Sequence, residues 1–133
     1  MYENKYKVEK DIIYPQEVFE LVGFMYDVWN KLGYGHKESF YEKAVAELFR
    51  KNGKEFKEQL RCKVKVGEKD LGLYVFDFVY EEKIVVELKQ GDIFSKQNIN
   101  QIYAYLKATG LKLGLLVNFT RKGVKFKRII NIK

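Results

Sequence analysis

Three charged residues interrupt two otherwise apolar runs, residues 71–80 and 84–89: Asp77, Glu87 and Lys89. Glu87 and Lys89 are two apart, so on a strand they share a face. Asp77 lies ten residues before Glu87, within reach if the chain folds back between them. A turn closing around Glu81, Glu82 and Lys83 sets Asp77 opposite Glu87. A two-residue turn would pair Asp77 with Val86 instead and send Glu87 to the other face. With the longer turn, or a bulge, two carboxylates and one ammonium meet beside an apolar core. Two such carboxylates repel each other, and a hard divalent cation between them relieves the repulsion. The plainer reading is a Glu–Lys ion pair at a solvated strand end. Spacing alone leaves both open.

Two further places carry polar groups at meaningful spacing. Gln101 and Tyr105 are four apart, a stripe on one helix face. Taken alone they read as an ordinary helix surface with a half-buried tyrosine. Glu38 opens a helix directly after a glycine-rich turn, where a carboxylate favours the positive end of the helix dipole.

Those residues have to be positioned by the surrounding elements. The periodicity predicts a first helix after Pro15, carried by Val18, Phe19, Leu21, Val22, Met25, Val28, Trp29 and Leu32, and broken by Gly33 and Gly35. A second helix is expected from Glu38 to about Asn52, with Phe40, Tyr41, Ala44, Val45, Leu48 and Phe49 as its buried stripe and Gly53 as its stop. Leu60, Cys62, Val64 and Val66 alternate with charged residues, the pattern of a half-buried strand. Leu71–Tyr80 and Lys83–Lys89 read as two more strands. They are apolar at nearly every position, so both are expected to be central and covered on both faces. Ser95 is a natural cap for a helix to about Thr109, which Gly110 ends. Residues 111–119 and 124–132 complete the set as strands. The order is ααβββαββ, expected as a single α/β domain with a mixed sheet over residues 1–133.

Composition narrows the function. The 133 residues contain one Cys and one His, too few for a structural zinc site or an internal disulfide. A lone cysteine suits a reducing, cytoplasmic compartment. No apolar run approaches the ~20 residues of a membrane span, and the segment MYENKYKVEKD is too polar for a signal peptide. The net charge of +7 is unevenly spread, since residues 93–133 carry nine Lys or Arg and no acidic group. That stretch is either a solvated basic surface or a face for phosphate.

The combination of Glu38, Asp77, Glu87-Leu88-Lys89 and Gln101-x-x-x-Tyr105 resembles the PD-(D/E)XK nuclease superfamily. More narrowly, Gly35-His36-Lys37-Glu38-Ser39-Phe40-Tyr41 resembles the motif of the GxxExxY family of small prokaryotic proteins. The blocks VVELK, QIYAYLKATGLKLGLLVNF and KRIIN extend the similarity from about Tyr14 to Asn131. The chain departs from that family's usual pattern at Tyr34, His36 and Lys37. The resemblance implies a mixed sheet flanked by helices, with an αβββαβ core. It implies a metal-dependent nuclease in which Asp77 and Glu87 hold Mg²⁺ or Mn²⁺, with the Leu88 carbonyl assisting and Glu38 reaching the site directly or through water. Lys89 would orient or activate the attacking water. Gln101 and Tyr105 would support Lys89 and the phosphate. Nucleic acid, DNA before RNA, is the expected partner, and a homodimer is expected because cutting both strands of a duplex takes two sites. The other reading is a nuclease-like module that binds nucleic acid or protein without cleaving.

Overall fold

A computed structural model describes residues 13–132. Its helices are α1 (Pro15–Leu32), α2 (Glu38–Lys51) and α3 (Lys96–Thr109). Its strands are β1 (Phe56–Val66), β2 (Lys69–Tyr80), β3 (Ile84–Gln90), β4 (Leu113–Thr120) and β5 (Gly123–Ile130). The order ααβββαββ is the expected one. The five strands form one mixed sheet in the order β1-β2-β3-β4-β5. All neighbours are antiparallel except β3 and β4, which run parallel because α3 carries the chain back between them.

Local chemistry sets the helix ends. Pro15 fits the first turn of α1, where its missing N–H leaves no bond unmade. The Gly33 N–H closes that helix on the Trp29 carbonyl at 2.7 Å. Ser95 caps α3 by accepting from the Asn98 N–H at 3.2 Å, and Gly110 ends it in the left-handed region.

Helices cover both sides of the sheet. On one side Leu21, Met25 and Val28 of α1 and Tyr41, Val45 and Phe49 of α2 pack on Phe78, Tyr80, Val86, Leu88, Leu115 and Phe119. Phe49 is the hub, with the rings of Phe56, Phe78 and Tyr80 centred 5.1, 5.2 and 4.9 Å away. Each such pair contributes ~0.5–1.5 kcal/mol beyond its buried area. On the other side Ile102 and Leu106 of α3 meet Phe76, Val79, Val85 and Leu116. This layer is tight at Gly114, where a Cβ would collide with Ile102 Cγ2.

Three expectations need correction. Phe19 and Phe40 follow the helical period but point outward, 76% and 48% exposed. Their angular positions fall outside the stripes that the sheet covers. β1 begins at Phe56, four residues before the first alternating position expected. Most importantly, β2 is not covered throughout. Leu71, Leu73 and Val75 are exposed, because β1 and β2 run on as an arm past the first turns of α2, where Glu42 meets Gln59.

The arm has a specific origin. Register pairs Glu58 with Phe78 and Leu60 with Phe76, leaving Gln59 opposite Asp77. Gln59 has φ +52, the left-handed region. Before this point Phe56, Phe78 and Tyr80 face α1 and α2; beyond it Leu60, Cys62, Tyr74 and Phe76 face α3. The ribbon therefore rotates at Gln59 and Asp77, and even-numbered positions change sides.

Candidate metal centre and nuclease site

The β2–β3 turn settles the register question. Tyr80 pairs with Ile84, so the turn contains Glu81, Glu82 and Lys83, and Asp77 lies opposite Glu87. Glu81 and Glu82 take positive φ, and the Lys83 N–H closes the turn on the Tyr80 carbonyl at 2.9 Å. The backbone ladder ends at Phe78 and Val86. Beyond it, side chains take over the backbone's role. The Asp77 N–H donates to Glu87 Oε1 at 2.9 Å, and the Leu88 N–H donates to Asp77 Oδ2 at 2.8 Å. Two carboxylates thus bridge the gap where the strands part.

Both carboxyl groups lie well above their ordinary pKa. Burial is the chief cause for each. The Leu88 N–H opposes the rise at Asp77, and the charge of Glu42 adds to it. For Glu87 the second cause is Asp77 itself. This is the repulsion expected of two acids sharing a site.

Lys89 stands beside them. Its Nζ is 3.8 Å from Glu87 Oε2 and 4.0 Å from Glu38 Oε1. Both are loose ion pairs, and the side chain keeps about a third of its exposure, so the ammonium is available to a further partner. Glu38, in the first turn of α2, also accepts the Gln90 N–H at 3.2 Å. That bond ties the helix start to the strand end.

The loop before α2 is fastened to the same strand. The Gly35 N–H donates to Gln90 Oε1 at 2.9 Å, and Gly35 has φ +104, a backbone that side chains rarely tolerate. The Tyr41 hydroxyl donates to the Gly33 carbonyl at 2.6 Å while its ring stacks on Phe119 at 4.4 Å. Gly35, Glu38 and Tyr41 therefore work as a unit: the first lets the loop approach, the second meets Lys89, and the third locks the loop down. His36 bonds the Leu32 carbonyl through Nε2 at 2.8 Å and serves this loop.

Gln101 and Tyr105 occupy a different position. Tyr105 packs its ring on Phe76, the neighbour of Asp77, with centroids 5.0 Å apart. Gln101 is one turn earlier on α3. Among the described residues no hydrogen bond links either side chain to Asp77, Glu87 or Lys89.

Three residues at the site escaped sequence reasoning. Glu42 accepts from Gln59 Nε2 at 2.6 Å and raises the pKa of Asp77. Its spacing of four from Glu38 was the available signal. Gln90 joins the loop to the strand. Asn118, opposite Lys89 in the β3–β4 register, is buried and donates to the Gly91 and Ile93 carbonyls at 3.2 and 3.0 Å, holding the segment after Lys89.

The donor set suits a hard cation. Among the described residues no three Asp, Glu, His or Cys side chains gather closely enough to hold a metal by themselves. Mg²⁺ asks for less, usually one or two carboxylates with water and substrate phosphate completing the shell. Asp77 and Glu87 supply two carboxylates whose mutual repulsion a cation would relieve.

The basic last third does not form one face. Strand alternation sends Lys125 and Lys127 to the α3 side of β5 and Arg128 to the other, while Arg121 lies over the Tyr34 ring at 5.4 Å. No helix is long and apolar enough to cross a membrane among the described residues.

The sequence matches the family model of the PD-(D/E)XK nuclease superfamily over residues 15–129. Among curated proteins none matches. Among solved structures, the crystal structure of SSO0001 is similar in fold, with a TM-score of 0.52 at 17% identity, over 72% of this chain and 51% of that one. The chain thus spans about half the length of that protein. Sheet order, the acidic pair at the splayed hairpin and the family match agree: the chain belongs to the PD-(D/E)XK nuclease superfamily.

Proposed function

We propose that this protein is a divalent-metal-dependent nuclease that hydrolyses phosphodiester bonds, with DNA preferred to RNA. One observation carries the reading. Asp77 and Glu87 meet across the parted end of β2 and β3 with the Lys89 ammonium 3.8 Å from Glu87.

Asp77 and Glu87 would hold Mg²⁺ or Mn²⁺, with the Leu88 carbonyl as a further oxygen and Glu38 joining directly or through water. Such an ion polarises a phosphoryl oxygen and lowers the pKa of bound water. Lys89, loosely held between two carboxylates, orients the attacking water and offsets negative charge developing on the phosphate. Glu38 holds that ammonium at 4.0 Å from the start of α2, and Glu42 adds negative charge beside Asp77. Tyr105 steadies Phe76 behind Asp77, and Gln101 extends the same polar stripe toward the phosphate. The roles of Gly35, Glu38 and Tyr41 in one fastened loop support a place in the GxxExxY group. A homodimer would supply a second site for the second strand of a duplex.

The test is cleavage of labelled DNA and RNA with Mg²⁺ or Mn²⁺, wild type beside Glu87→Gln. The reading expects cleavage by the wild type and a loss of about a hundredfold or more in the variant. Binding without cleavage by the wild type would favour the non-cleaving module.

A further inference from the structure

The rotation of the β1–β2 ribbon at Gln59 and Asp77 leaves one face of the arm uncovered. On that face Arg61 pairs with Val75 and Lys63 with Leu73. All four are exposed. The opposite face, through Leu60, Cys62, Tyr74 and Phe76, is committed to the α3 layer. The open face lies on the same side of the sheet as α2, because Gln59, at the point of rotation, reaches Glu42. Along the ribbon it begins next to the Gln59–Asp77 position, with Arg61 and Val75 two residues on.

We propose that this face is a nucleic-acid track, holding the strand that continues from the phosphate at the Asp77–Glu87 pair. The inference rests on the nuclease reading for its direction and adds the surface that positions the substrate. Among the described residues, no carboxylate lies within 4.0 Å of Arg61 or Lys63 to neutralise them. Residues two apart on a strand are ~6.6 Å apart, so the two cations present charge at regular steps along the ribbon. Contacts to phosphate of this kind fix register on a strand without reading its sequence. Leu73 and Val75 sit between and beside the cations as apolar surface for the sugars. The same charge argues against pairing with a second copy, which would bring Arg61 and Lys63 against their own counterparts.

The experiment measures binding of the full chain to fluorescent DNA by anisotropy, with EDTA present so that no cleavage intervenes, across a range of salt. The double variant Arg61→Gln/Lys63→Gln should bind about tenfold more weakly near ~100 mM salt, and its slope of log affinity against log salt should fall by ~1.5, two phosphate contacts' worth. Leu73→Ser/Val75→Ser should weaken binding while leaving that slope unchanged. Lys107→Gln, a charge change on exposed α3, should behave as wild type. Melting curves of all variants check that the fold persists. Unchanged affinity and slope in Arg61→Gln/Lys63→Gln would overturn the track, as would a shift in sedimentation by either arm variant with binding intact, which would mark a protein-contact surface. The two readings separate cleanly. A wild type that binds through the arm yet cleaves nothing removes the nuclease reading and keeps the track. A wild type that cleaves while Arg61→Gln/Lys63→Gln binds normally removes the track alone.

Discussion

Residues 71–75 and 76–80 of β2 are similar in kind, aliphatic and aromatic with one charge at Asp77, yet they end in opposite environments. Phe76, Phe78, Val79 and Tyr80 are buried between helix layers, while Leu71, Leu73 and Val75 are 55%, 44% and 41% exposed. The difference does not lie in the side chains. It lies in what covers them: α2 reaches no further along the ribbon than Gln59, the ribbon rotates at Asp77, and the apolar residues beyond have no helix above them on that face. Apolar surface left open beside a charged site is surface available to a partner.

That contrast can be broken by substitution. Phe78→Ala should cost ~3–5 kcal/mol in chemical unfolding, as a large ring leaves a closed core. Leu73→Ala on the same strand should cost less than ~0.5 kcal/mol, as at ordinary surface positions. Equal costs would mean the arm is covered after all. At the junction, Lys89→Met keeps most of the stem and removes the charge. It should lower cleavage by about a hundredfold while the protein stays folded; undiminished cleavage would make Lys89 a structural partner of Glu87. On the α3 side, Gly114→Ala should cost ~1–3 kcal/mol by overpacking against Ile102, whereas an alanine at Gly67 in the arm meets no neighbour, and its cost should come only from the +61° φ.

The smallest effect concerns pH. Asp77 and Glu87 have folded-state pKa values above their ordinary 3.8 and 4.5. The folded protein therefore binds more protons than the unfolded chain, and stability falls as pH rises through the raised values. Metal-free wild type should lose several degrees of melting temperature relative to Glu87→Gln between about pH 4.5 and about pH 8. A constant difference between the two proteins across that range would remove the repulsion argument.

Much of this was legible in the sequence, for identifiable reasons. Gly33, Ser95 and Gly110 mark helix ends because their chemistry acts locally, and the turn at residues 81–83 was one of two registers the spacing allowed. Coverage was not legible. The apolar density of residues 71–80 says that water is disfavoured, not whether a helix is present to exclude it. The outward turn of Phe19 and Phe40 has the same origin, since a period identifies a stripe but not its width. At the site, Asp77, Glu87 and Lys89 stood out as charges within apolar strands. Glu42 and Gln90 did not, because polar residues on a helix face or at a strand end are unremarkable until tertiary structure brings them together. Gln59 carried no signal at all: its left-handed backbone is imposed by the ribbon's rotation, at a residue type with no preference for it.

The order of the strands in space repeats their order in the chain. No strand has to be threaded between two that are already joined. The sheet can lengthen from one edge as each segment is made, closing short loops at β1–β2, β2–β3 and β4–β5 and one longer loop through α3, with little entropy lost to distant pairing. Asp77 and Glu87 come together at the second of these closures, within a single hairpin, so the pairing at the chemical centre needs only a local turn and no contact from α3, β4 or β5.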